Sequence, residues 1–364
     1  MKICHTERSL PKGCLRQKCD NFSESCLGYA RHDIILPFLR WSLNPFPRGA
    51  CCKTLIAVLV FLFASSIVSA QEFKKTATAG FVFLEVPSTS RHAALGESGL
   101  ALADENSSAM FNNPAGLGFT QYQSSFSASY APWLADIKNY SSGFAVKTDA
   151  GVFGIGLVLF DYGSMPRTLV AQDKQVFDVA GTFDAKSLAV GATYSKMLTD
   201  QFSFGATLKY VNERIDVYSA SNVVLDAGVL YYTGLGSLRL AAAMQNFGAN
   251  AKFINDEFKM PAVFKLGLAG EVIGDAVSEH RLTLMVEARH PNDSNEKLNA
   301  GAEYSWNNSI AVRGGYKFFY DEESYSIGLG IDPQLPMPVM IDIAYADYGR
   351  FNNILRMTVH IGMK

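Results

Sequence analysis

Apolar and polar residues alternate at every second position over most of this chain. In the segment His280–His290, Leu282, Leu284, Val286 and Ala288 fall on one face, and Arg281, Thr283, Glu287 and Arg289 on the other. At the C-terminus Leu355, Met357, Val359 and Ile361 oppose Arg356, Thr358 and His360. Side chains of a β-strand point to opposite faces in turn, so each such segment has an oily side and a polar side. The pattern predicts fourteen strands, at approximately 123–131, 140–149, 151–161, 184–197, 200–212, 222–233, 236–247, 258–270, 279–290, 296–306, 308–319, 323–332, 337–348 and 353–364. That many amphipathic segments of about ten residues imply an all-β chain: a 14-stranded antiparallel transmembrane β-barrel with lipid outside and a polar lumen within. A soluble periplasmic β-sandwich also alternates, but it seldom needs so many strands of spanning length.

The connections carry their own signal. Asp149-Ala150, Leu198-Thr199-Asp200, Thr233-Gly234-Leu235 and Asn307-Asn308 read as tight turns after even strands, whereas Asp161–Phe183, Glu213–Ser221 and Gly248–Glu257 read as long loops after odd ones. Bacterial barrels keep short turns on the periplasmic side. An even strand count then places both termini in the periplasm, with the barrel in the outer membrane of a Gram-negative bacterium. Gly154, Gly156, Gly205, Gly228, Gly301, Gly315, Gly328 and Gly330 fall mid-strand, where they leave room for a plug or another backbone. Phe318, Phe319, Tyr320, Tyr345, Tyr348, Tyr231 and Tyr232 sit near strand ends, as aromatic girdles would. The strand Gly151–Asp161 is apolar on both faces, which points to an internal hydrophobic site or to contact with a plug.

The first 70 residues have a different character. Thr54–Ile67 is an apolar run preceded by Arg48 and Lys53 and followed by Val68-Ser69-Ala70. It is shorter than the roughly 20 residues of a membrane helix. Residues 48–70 are therefore read as a signal peptide cleaved before Gln71. Residues 1–47 read as a leader from a start site assigned too early, the alternative being a small zinc or redox segment. All six cysteines precede Ala70, so the mature chain would hold no disulfide and no thiolate metal site. Beyond Ala70 there remain 23 basic and 30 acidic residues, a net charge of about −7. No basic stripe interleaved with aromatics is present, and nucleic acid is not an expected partner.

Between the signal and the strands, Gln71–Phe119 is rich in alanine and leucine at helical spacing: Ala93, Ala94, Leu95, Leu100, Ala101, Leu102 and Ala103. Asp104-Glu105-Asn106-Ser107-Ser108 reads as a cap before a second short helix. The expected division is thus an N-terminal segment at 71–120 and a barrel at 121–364. Within the segment, Phe83-Leu84, Arg91, Ala94-Leu95-Gly96-Glu97, Ala101-Leu102-Ala103-Asp104 and Asn113-Pro114-Ala115-Gly116-Leu117 follow one another in order. This ordered set resembles the PorV/PorQ family of outer-membrane proteins, distant relatives of the FadL fatty-acid transporters. The resemblance implies that the N-terminal segment is a helical hatch folded into the lumen. It also marks Arg91, Leu95, Gly96, Asp104, Asn113, Pro114, Ala115, Gly116 and Leu117 as its structural or gating residues. Arg91 and Asp104 would pair with lumenal charges such as Glu287, Glu303, Asp342, Arg313 or Arg356. Proline restrains the residue before it, so Asn113-Pro114 should break the helix. One departure is the ending Gly362-Met363-Lys364, where many barrels close on an aromatic residue.

Enzyme signatures are missing. The sequence has no Gly-x-Ser-x-Gly elbow, phosphate-binding Lys loop or His-Glu-x-x-His, and no cofactor is expected. His280 and His290 would lie about 33 Å apart along one strand, too far to share a metal. The pairs Asp256-Glu257 and Glu322-Glu323 read as solvated loop charges. Two functions fit. The PorV/PorQ resemblance implies a non-enzymatic accessory of type IX-like secretion or surface attachment, binding secretion-system proteins or secreted cargo. The alternative is a FadL-type transporter for long-chain fatty acids or other hydrophobic small molecules. A passive porin ranks third, because a plugging segment opposes open diffusion.

Overall fold

A computed structural model describes residues 78–103, 106–170, 177–333, 335 and 337–363. The expectations for residues 1–70, and for Asp104, lie outside the described residues. The strands are β1 (Ser124–Pro132), β2 (Lys138–Thr148), β3 (Gly151–Val170), β4 (Phe177–Thr199), β5 (Phe202–Ile215), β6 (Tyr218–Tyr232), β7 (Arg239–Phe247), β8 (Ala251–Phe253), β9 (Asp256–Phe258), β10 (Val263–Ile273), β11 (His280–Pro291), β12 (Lys297–Trp306), β13 (Ile310–Phe318), β14 (Tyr325–Ile331), β15 (Val339–Ala346) and β16 (Ile354–Met363). Strands β8 and β9 pair only with each other. The other fourteen form a closed antiparallel meander, sealed where β1 meets β16 from Ser124↔Met363 to Tyr130↔Met357. Closure leaves no strand edge unpaired around the barrel wall, which is what allows β-structure to cross a bilayer.

The distribution of side chains is inverted relative to a soluble protein. Leu284, Val286, Leu355 and Met357 are exposed on the outer wall, while Thr283, Glu287, Thr358 and His360 on the same strands are buried. An exterior this apolar belongs against hydrocarbon, and the polar groups turn inward. The aromatic pairs divide in the same way. Tyr231 and Phe318 face outward, but Tyr232 and Tyr348 turn in, so the girdle takes only part of each predicted cluster.

Three predicted loops require correction. Asp161–Phe183 is mostly paired strand: β3 and β4 continue past the barrel rim, with Ser164↔Asp184 and Thr168↔Val179 in register. Glu213–Ser221 contracts to a turn at Asp216-Val217, since β5 and β6 pair out to Ile215↔Tyr218. Gly248–Glu257 holds the β8–β9 hairpin. Above the membrane neither face of a hairpin needs to be apolar. The alternation therefore stops at Asp161 although the backbone pairing continues. The turns at Asp149-Ala150 and Asn307-Asn308 fall where the pattern put them, that predicted at Leu198–Asp200 shifts to Asp200-Gln201, and that at Thr233–Leu235 lengthens to Thr233–Leu238. Asn307 and Asn308 both adopt left-handed backbone, at φ 52° and 50°, which asparagine tolerates.

Residues 78–103 and 106–122 precede β1, and most of them pack inside the barrel. Helical content is lower than the alanine-leucine spacing suggested. It amounts to one turn each at Val82–Glu85, Ser90–Ala94, Gly99–Ala101 and Ala109–Asn112 and two at Pro114–Phe119. Side chains of the wall supply the hydrogen bonds that a longer helix would have provided. The amides of Ser90, Gly96 and Leu100 donate to Thr358 Oγ1, Ser326 Oγ and Glu287 Oε2, at 2.8, 3.0 and 3.1 Å.

Candidate functional site

Two stretches of the inner segment are clasped to opposite sides of the wall. In the first, Arg91 donates through Nε and Nη2 to both oxygens of Glu303, at 2.9 and 2.8 Å. Glu303 also accepts from Arg313 Nε at 2.6 Å, and Arg313 reaches Asp342, which His360 approaches at 3.2 Å. Five charged or titratable groups thus form one chain of contacts, and Glu303 is the partner that Arg91 meets. Leu95 is fully buried, packed with Leu100, Leu230 and Met285. Gly96 has φ +61°, a conformation that side chains disfavour, and a Cβ there would come within 2.9 Å of the Tyr316 amide. Gly315 on β13 answers it, because a Cβ at Gly315 would land on the Leu95–Gly96 peptide.

The second clasp runs from Asn113 to Leu117. Asn113 caps the turn Pro114–Phe119, its Oδ1 accepting from the Ala115 amide at 3.1 Å, while Nδ2 donates to the carbonyls of Leu100 and Val229. Pro114 takes the first helical position, where its missing N–H costs nothing. The Ala115 carbonyl accepts from Ser203 Oγ at 2.8 Å, and a Cβ on Gly205 would collide with Pro114. The Gly116 amide donates to the Asn113 carbonyl at 2.9 Å, and Leu117 is buried with Met110, Ala145 and Val152. The eight described motif residues therefore serve two seats, which meet in one buried apolar cluster through Leu95 and Ala115.

Glu97 and His92 carry weight that the sequence did not reveal. Glu97 is 4% exposed and its oxygens accept from Lys317 Nζ and Arg289 Nη1, both at 2.5 Å. Burial alone would raise its pKa, but the two cations together hold the carboxyl well below its ordinary range. His92 has no hydrogen bond at Nδ1, and burial lowers its pKa from 6.5 to about 3. In the sequence Glu97 is only the last residue of the Ala94-Leu95-Gly96-Glu97 element. Only the facing strands show that it is a counter-ion.

Cavities flank the inner segment. At the end where β1 begins, β16 finishes and the short turns lie, a polar cavity of about 470 Å³ is bordered by Arg91, Arg239, Glu271, Arg281, Glu303 and Asp332. At the opposite end, a cavity of about 400 Å³ is bordered by Val86, Trp133, Leu134, Tyr348 and Phe351 as well as Glu97 and Arg289. Next to the second lies an apolar cluster in which Phe81 and Phe83 pack on Phe160, Val211, Val224 and Met260. A small pocket of about 50 Å³ beside it is lined by Phe83, Leu84, Val86, Val158 and Ala189. The doubly apolar strand Gly151–Asp161 supplies Val158 and Phe160 to this cluster and Val152 to the Leu117 seat. Among the described residues no group of three or more metal-ligating side chains is gathered.

No protein-family model and no curated protein match the chain. Solved structures do. The toluene transporter TodX of Pseudomonas putida is 13% identical, with a TM-score of 0.50 over 74% of this chain and 96% of its own. The fold is that of such channels. The monoaromatic hydrocarbon channel CymD is 11% identical, with a TM-score of 0.51 over 76% of this chain and 96% of its own. A FadL homologue of Pseudomonas aeruginosa is 12% identical, with a TM-score of 0.51 over 77% and 99%. At these identities the likeness is one of barrel architecture, in line with the FadL-like fold that the sequence implied.

Proposed function

We propose that this chain is a non-enzymatic outer-membrane channel for uptake of small apolar solutes, with both termini in the periplasm and the inner segment as its hatch. The observation that carries this reading is the aromatic-rich apolar cluster of Phe81, Phe83, Phe160 and Val211, set beside the cavity at the long-hairpin end of the barrel. An apolar solute there gains roughly 25 cal/mol per Å² of surface removed from water. The solute enters through the cavity beside Trp133, Leu134 and Phe351, and the arm Phe81–Pro87 shifts to admit it. The neighbouring structures named for toluene and monoaromatic hydrocarbons give the same architecture a precedent.

The test is direct binding of butylbenzene to the purified protein in detergent. Saturable binding is expected, weakened at least tenfold by Ala189→Asp, which puts a charge into the pocket wall. Binding that does not saturate, or that ignores Ala189→Asp, would sink the reading. The secretion-accessory alternative rests on the motif resemblance. Recovery of the chain with a translocon or secreted cargo, and without any bound apolar molecule, would restore it.

A further inference from the structure

A further cavity, of about 40 Å³, lies between the inner segment and the wall. The segment lines it with His92, Glu97 and Asn112, and the wall with Gln245, Lys265 and Arg289. At roughly 10–15 Å³ for each, it takes two or three water-sized particles and no organic molecule.

The polar groups around it are short of partners. Lys265 on β10 is 4% exposed and makes no hydrogen bond among the described residues. Its one ion-pair contact there is Glu287 Oε1, at 3.9 Å, which leaves the three N–H donors of a buried ammonium unused. Asn112 is 6% exposed with no partner at Oδ1, and His92 has none at Nδ1. Both side chains crowd Gly99, where a Cβ would come within 3.4 Å of His92 Nδ1 and 3.6 Å of Asn112 Nδ2. Gln245, by contrast, is already spent on the Asn112 carbonyl, at 2.7 Å.

Charge is out of balance in the same place. Arg289 and Lys317 occupy the two oxygens of Glu97, and Glu287 answers Lys265 only at a distance. Three buried cations thus stand against two buried carboxylates. Glu85 also borders the cavity, but burial, with Asp293 beside it, pushes its pKa up and favours the neutral form. Glu323 reaches Lys317 from the half-exposed side, where water shares its charge. An uncompensated cation is costly to keep in such a setting.

We propose that this cavity holds one small monovalent inorganic anion, of the size and charge of chloride, which ties the inner segment to β10. Lys265 Nζ donates to it from the wall, and the neutral His92 ring donates from the segment. A half-turn of the Asn112 amide, exchanging Oδ1 for Nδ2, adds a third donor. The ion supplies the missing negative charge. It is separate from the uptake reading, because the cavity is too small for a solute.

The thermal midpoint in detergent, at about pH 7, is compared in sodium chloride and sodium gluconate of equal ionic strength. The parent is expected to melt about 3 °C higher in chloride, the shift for a ligand at roughly ten times its Kd. Lys265→Met should lose this difference. If that variant does not fold, Lys265→Met combined with Glu287→Gln removes both charges together and should show the same loss. Crystals grown in sodium bromide locate the ion, with an anomalous peak expected within hydrogen-bond distance of Lys265 Nζ. Equal midpoints in the two salts, or a chloride shift that survives the loss of Lys265, would overturn the proposal. Ordered water in the cavity without an anomalous signal would overturn it as well.

Discussion

At the scale of single residues, the inner segment is held by charges that exist only because the wall faces them. Arg91 and Glu303 are 212 positions apart, yet both were legible. An arginine in a motif and an acid on the polar face of an alternating strand each declare themselves. Replacing Glu303 by Gln removes the counter-ion that part-buried Arg91 and buried Arg313 share and leaves Arg313 with Asp342. Loss of one partner of a buried pair costs about 3–5 kcal/mol, and chemical denaturation in detergent should show it. Acid should loosen the same region through His92. Its folded pKa of about 3 lies below the 6.5 of the released side chain, so the released state takes up protons first. The contribution is complete above about pH 6.5 and is lost as pH falls towards 3; Glu97 adds a loss below its ordinary 4.5. The thermal midpoint should therefore fall on acidification from pH 7, and His92→Gln should flatten the fall between 6.5 and 4.5. A midpoint that rises on acidification would contradict the assignment.

At the scale of elements, period-two alternation located all fourteen barrel strands, because a bilayer demands an apolar outer face on each one. The same logic explains the failures. Outside the membrane the demand lapses, so the upper halves of β3 and β4 looked like loop although they pair out to Val170↔Phe177. The inner segment was misjudged for the opposite reason. Its alanine and leucine residues are spaced to fit the wall, and Ser326 and Glu287 replace helical hydrogen bonds. Mid-strand glycines were the most useful local signal, since Gly205 and Gly315 lie directly beneath the two clasps. Valine at Gly315 should unseat the first clasp while sparing the strand pairing. The expected result is heat-modifiable mobility like the parent, together with a steady ionic conductance in planar bilayers that the parent lacks. A closed Gly315→Val channel would show that the segment can be seated without that approach.

At the scale of the whole molecule, the barrel joins three regions that differ in chemistry: an aromatic-bordered cavity at the long-hairpin end, a charged middle held by the inner segment, and a polar cavity at the short-turn end. Architecture was readable from pattern alone. The apolar cluster was hinted at by one strand, Gly151–Asp161, but Phe81, Val211 and Met260 come together only through closure of the barrel. The account turns on whether that cluster serves passage. The most direct measurement is accumulation of radiolabelled butylbenzene by intact cells of a Gram-negative host lacking channels of this fold, with and without the chain in the outer membrane. Severalfold faster accumulation, abolished by Ala189→Asp at equal expression, is the predicted result. Equal rates with and without the protein would contradict the uptake account.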